Sequence, residues 1–140
     1  MQCHDSLVSL TFCSRTSRLK LLRCVVRDAA DMVGLDEQAT DAVVLAVNEA
    51  CMNIIEHAYC GAGSGKILII IEKNNEKWRF ELIDFAPAVD IKSIKAKDLA
   101  EVRPGGLGVN FIKQIMDSAV YENINEEQQQ GNRLILTKTI

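Results

Sequence analysis

Three groups of residues in this 140-residue chain have types and spacing that could do chemistry. Glu49, Asn53 and His57 recur every four residues, so a helix through them aligns them on one stripe. Asparagine is a poor mid-helix residue, and its side-chain carbonyl is a hard oxygen ligand suited to Mg²⁺. A carboxylate one turn before it could position or deprotonate a nucleophile beside that metal. The same stripe is equally what the solvent face of an amphipathic helix carries. Asp84 closes an apolar run and is followed by Phe85-Ala86-Pro87-Ala88-Val89-Asp90. It reads either as a turn former or as an acceptor for an exocyclic amine such as the N6 group of adenine. Pro104-Gly105-Gly106-Leu107-Gly108 opens a helical pattern. Such glycines let backbone N–H groups approach phosphate, and a helix N-terminus adds a favourable dipole, but a plain turn before a helix has the same composition. No Gly-Lys-Ser/Thr follows, so this is not a Walker A loop. A long irregular stretch precedes it, so it is not a dinucleotide fingerprint either.

The elements that must position these residues follow from apolar periodicity. Ser6 to Cys13 alternates as a strand. From Ser17 the spacing turns helical through Leu21, Leu22, Val25, Val26, Ala29, Met32 and Val33, with Gly34-Leu35 as a stop. Asp36 caps a second helix that runs through Ala39, Val43, Val47, Ala50 and Ile54 to about Tyr59, punctuated by Gly61, Gly63 and Gly65. Lys66 to Lys73 and Lys77 to Asp84 form a hairpin about Asn74-Asn75-Glu76, with Trp78, Phe80 and Leu82 on one face. Phe85 to Gly106 is a long irregular stretch of the kind that is usually functional or disordered. A third helix follows through Val109, Ile112 and Met116. Two strands, Ser118 to Asn123 and Asn132 to Ile140, then close the chain around a polar loop from Asn125 to Gln130. The order β-α-α-β-β-α-β-β predicts a single α+β domain over residues 1–140, a two-layer sandwich with helices on one face of a mixed sheet.

Composition narrows the classes of function. Sixteen Lys+Arg against nineteen Asp+Glu give a net charge of −3, with the basic residues scattered, so nucleic acid is not an expected partner. The longest aliphatic run, Ile67 to Ile71, is far short of the ~20 residues of a membrane helix, and the start lacks a signal peptide's basic residues. A cytoplasmic protein with no membrane contact is expected. The five cysteines, Cys3, Cys13, Cys24, Cys51 and Cys60, have no metal-type spacing and read as reduced, mostly buried small hydrophobes.

Taken in this order, Glu49-x3-Asn53-x3-His57, Asp84-x-Ala86-Pro87 and Gly105-Gly106-x-Gly108 form a far more specific signal than any one of them. The sequence resembles the histidine-kinase-like (GHKL, Bergerat-fold) ATPases and, within them, the small anti-sigma-factor serine kinases. Asn48 to Tyr59 looks like their N box, Asp84 to Asp90 like the first glycine box, and Pro104 to Asp117 like the second. Gly131 to Lys138 is similar to their last strand. The resemblance implies a Bergerat sandwich with ATP or ADP between the second helix and the glycine-rich lid. It makes Glu49 the general base, Asn53 the Mg²⁺ ligand and Asp84 the adenine N6 acceptor. Ala86 stands beside Asp84 where the family usually has glycine. Backbone N–H groups at Gly106, Gly108 and Val109, in the run Gly105-Gly106-Leu107-Gly108-Val109, would cradle phosphates. Arg103 would reach the γ-phosphate. His57 belongs to the same motif, as a ligand contact or as packing for the helix end. The implied function is phosphorylation of a serine on a small STAS-type anti-sigma-factor antagonist and sequestration of a sigma factor, by a homodimer formed through the N-terminal strand and first helix. A nucleotide-dependent binding module without kinase activity, and a switch kinase that activates a phosphatase, fit the same motifs.

Overall fold

The structure, a computed structural model, describes residues 6–92, 107–127 and 129–140. Strand β1, Ser6–Cys13, turns Val8, Leu10 and Phe12 toward the core, opposite Ile71, Ile69 and Ile67 of β2, Lys66–Lys73. Helix α1, Leu19–Met32, buries Leu19, Leu22, Val26, Ala29 and Ala30. It stops in a Schellman motif: Gly34 takes φ +80°, Leu35 N–H donates to Ala30 O at 3.1 Å and Gly34 N–H to Asp31 O at 3.1 Å. Helix α2, Glu37–Asn53, starts where Asp36 Oδ1 accepts the Ala39 N–H at 2.7 Å. Its winding then widens into a π turn, Ile54–Ala58. Cys60 and Gly61, with φ of 51° and 80°, end it.

Strand β3, Lys77–Asp84, returns against β2 across a turn in which Asn74 Oδ1 accepts the N–H groups of Glu76 and Lys77. Trp78, Phe80 and Leu82 do share one face and are almost fully buried, the two rings 4.5 Å apart. Helix α3, Leu107–Ile115, and strands β4, Ser118–Glu126, and β5, Gln129–Thr139, complete the chain. The helices cover one face of a five-stranded sheet in the order β1-β2-β3-β5-β4, and α2 packs against both α1 and α3.

The two-layer α+β sandwich stands as expected, but among the described residues the sheet is antiparallel at every pairing and not mixed. Topology explains this. Two helices between β1 and β2 bring the chain back from the opposite end of the sheet. β3 and β4, joined through α3, do run the same way, but β5 inserts between them and pairs antiparallel to both. The polar segment expected as a loop from Asn125 to Gln130 is largely strand, with Asn125 opposite Gln130 and Glu126 opposite Gln129. Backbone pairing continues there because a hairpin end needs no apolar side chains to keep its ladder. Among the described cysteines only Cys51 is buried, while Cys13, Cys24 and Cys60 are exposed, so the expectation of mostly buried thiols fails. Cys13 and Cys24 fall on the outward positions of β1 and α1, and Cys60 sits in a turn. On the sheet face away from the helices, Glu81 takes ion pairs from Arg79 and Arg133, which also reach Glu72 and Glu122.

Candidate functional site

The end of β3 holds a buried polar group braced by several donors. Asp84 is only 3% exposed, and its Oδ1 accepts the Ala86 N–H at 3.1 Å and Asn132 Nδ2 at 2.9 Å. The bond to Ala86 closes an Asx turn, which bends the chain out of the strand. Burial pushes the Asp84 carboxyl above the usual carboxylate range, against the opposing pull of hydrogen bonds from the Asn132 side chain and from the Ala86 and Asn132 N–H groups. A buried carboxylate kept in place by donors is suited to accept one further hydrogen bond from a ligand. Ala86 is itself 3% exposed. Among the described residues the one non-glycine with positive φ is Cys60, so the backbone at Ala86 is one an alanine adopts without strain.

Asn132, which the sequence reading missed, organises the turn. Its Nδ2 also donates to Pro87 O at 3.1 Å, and its Oδ1 accepts the Val89 N–H at 2.9 Å. All three contacts match one orientation of the amide, and a flipped amide would oppose like groups at each. Gly131 before it is required by packing: a Cβ there would lie 2.1 Å from the Asp84 carbonyl oxygen. The available signal was an asparagine shortly before the apolar run Leu134 to Leu136 of the closing strand, a type that is depleted in strands.

On α2, Glu49 and Asn53 are half-buried one turn apart, whereas His57 is exposed. The π turn accounts for the difference. Tyr59 N–H donates to Ile54 O at 3.1 Å, five residues back, so His57 lies on a wider turn and leaves the α-helical stripe of the other two. Leu107, Gly108 and Val109 form the first turn of α3. Arg103, Gly105 and Gly106 lie outside the described residues.

Among the described residues no group of three or more His, Cys, Asp or Glu could hold a metal by protein ligands alone. Mg²⁺ bound with a nucleotide needs no such group, because it commonly takes one or two protein oxygens and completes its shell with phosphates and water. The half-buried Asn53 amide beside the Glu49 carboxylate fits that donor set.

Residues 12–138 match the family described as the histidine kinase-like ATPase domain. The chain belongs to this family. The ATPase domain is 24% identical over 145 residues to a serine-protein kinase RsbW of Listeria innocua, with 98% of this chain and 88% of that protein covered. Its fold is similar to a chain of the SiaB–SiaC complex of Pseudomonas aeruginosa, with a TM-score of 0.72 at 14% identity and coverage of 97% and 91%. It is also similar to a Mycobacterium tuberculosis chain solved as RsbU and RsbW domains, with a TM-score of 0.64 at 17% identity, covering 94% of this chain and 31% of that one. No described helix of the ATPase domain is long and apolar enough to cross a membrane.

Proposed function

We propose that this chain is an ATP-dependent protein serine kinase that phosphorylates a small STAS-type anti-sigma-factor antagonist and sequesters a sigma factor in partner switching. The observation that carries the reading is the buried, donor-braced Asp84 at the end of β3 in a chain of the histidine kinase-like ATPase family. The serine-protein kinase name of its relatives and the SiaB–SiaC neighbour support the choice of a protein substrate.

Asp84 accepts the adenine N6 hydrogen bond. The first turn of α3 at Leu107, Gly108 and Val109, with Gly105 and Gly106 before it, offers N–H groups to the phosphates. Arg103, outside the described residues, would reach the γ-phosphate by the family resemblance. Asn53 would hold Mg²⁺, which when bound would neutralise phosphate charge. His57, exposed and off the stripe of Glu49 and Asn53, is given no nucleotide contact in this reading. Glu49 orients the substrate serine and takes its proton as the Oγ–P bond forms and the β,γ-bridging P–O bond breaks, with ADP leaving. The protein acts in the cytoplasm as a homodimer joined through β1.

Incubation with γ-labelled ATP, Mg²⁺ and a cognate antagonist is expected to label serine. Glu49→Gln should cut that labelling by at least about a hundredfold while leaving ADP affinity within about twofold. Undiminished labelling in the variant overturns Glu49 as the base. An antagonist captured by the wild-type chain with no gain of phosphate overturns the kinase reading in favour of a binding module.

A further inference from the structure

The hydroxyl of Tyr59, the residue that follows the π turn, bridges the start of β2 and the residue after Asp84. It donates to Lys66 O at 2.6 Å and accepts the Phe85 N–H at 2.8 Å. Room for the ring is made at Gly65, where a Cβ would lie 2.5 Å from ring carbons of Tyr59. The peptide that joins Asp84 to Phe85 is thus held at both edges. Its N–H side is bonded to Tyr59, and its carbonyl side lies against Gly131 at a distance no side chain permits.

From this we propose that Tyr59 is a positioning residue for purine recognition: it locks the Asp84–Phe85 peptide and so fixes the carboxylate that reads the 6-position of the base. The proposal rests on the nucleotide reading of Asp84. Rotation of that peptide changes the backbone angle that sets Ala86 N–H against Asp84 Oδ1, so releasing the Tyr59 bond loosens the Asx turn and lets the carboxylate drift. Asn132 braces the same carboxylate from β5, but its side-chain bonds go to that carboxylate, to Pro87 and to Val89, whereas the side-chain bond to the Phe85 N–H comes from Tyr59. The Lys66 ammonium, 5.0 Å from the Phe85 ring centroid, further ties the start of β2 to this peptide. Because Tyr59 directly follows the π turn, the same hydroxyl couples the end of the Glu49 and Asn53 helix to the base-binding end of the site.

The test compares ADP with inosine diphosphate, which carries a carbonyl oxygen where adenine has N6, by competition against a fluorescent ADP analogue. Wild type is expected to prefer ADP. Tyr59→Phe, which keeps the ring and removes the hydroxyl, should reduce the ADP-to-IDP preference about five- to thirtyfold, the loss expected for one buried hydrogen bond, with IDP affinity within about twofold of wild type. Gly65→Ala, which displaces the ring and keeps the hydroxyl, should shift the preference in the same direction. An equal weakening of both nucleotides in Tyr59→Phe shows a merely structural residue and overturns the proposal, as does an unchanged preference. A wild-type chain with no preference for ADP overturns the role of Asp84 itself, which is a separate failure read before any variant is made.

Discussion

Asp84 is where a single residue's physical chemistry makes both stability and binding depend on pH. Its carboxyl is raised by burial, so the folded chain takes up a proton there more readily than the unfolded chain does. The stabilising contribution of the protonated form is therefore present at low pH and is lost as pH rises through the raised value. Asparagine can keep the bonds from Asn132 and Ala86 by presenting its oxygen to both, and it removes the buried charge. Asp84→Asn is expected to hold or raise the thermal midpoint at neutral pH, and the gap to wild type should close as pH falls. Binding runs the other way, because the neutral amide turns a donor toward the base. ADP affinity of wild type over that of the variant should be large at neutral pH and shrink on acidification through the same range, the ratio cancelling the nucleotide's own titration. A variant less stable than wild type at neutral pH would show that the charge is better compensated than its burial implies.

At the scale of elements, what was legible in the sequence was what is local. β1, the β2–β3 hairpin, the Gly34 stop and the Asp36 cap each follow from a period or a capping pattern within a few residues. The Asp84 site was only half legible, because Asp84 announces itself at a strand end while Asn132, 48 residues away, acquires its role through the pairing of β3 with β5. Tyr59 was hidden for a similar reason, since its partners lie on β2 and just beyond β3. The π turn also escaped the four-residue spacing, which assigns His57 a place that only an unbroken α-helix would give it. Gly131 offers a test of the long-range pairing. In Gly131→Ala the new methyl meets the Asp84 carbonyl, so β3 and β5 must separate locally. Chemical denaturation should show a loss of about 1–3 kcal/mol, in the range of overpacked sites, together with weakened ADP binding. A variant with native stability would mean that the strand pair yields there without resistance.

For the whole molecule, strand order decides which backbone remains open. β1 and β4 are the two edges of the sheet, and they differ in chemistry. β4 carries Glu122 and Glu126, whereas β1 has no charged residue between Ser6 and Cys13. Charged side chains are a common guard against strand addition, and their absence leaves β1 as the edge suited to pairing with a second copy. The proposed homodimer draws on this asymmetry. Sedimentation equilibrium at micromolar concentration is expected to give about twice the 15.5 kDa chain mass. The side chains of Ser9 and Thr11 are exposed on β1, so lysines at both positions guard the edge without entering the core. Ser9→Lys with Thr11→Lys should return the mass to that of one chain while ADP binding persists, because neither residue belongs to the nucleotide site. Persistence of the dimer in that double variant would move the interface away from the β1 edge, and a single-chain mass for the unsubstituted protein would remove the dimer altogether.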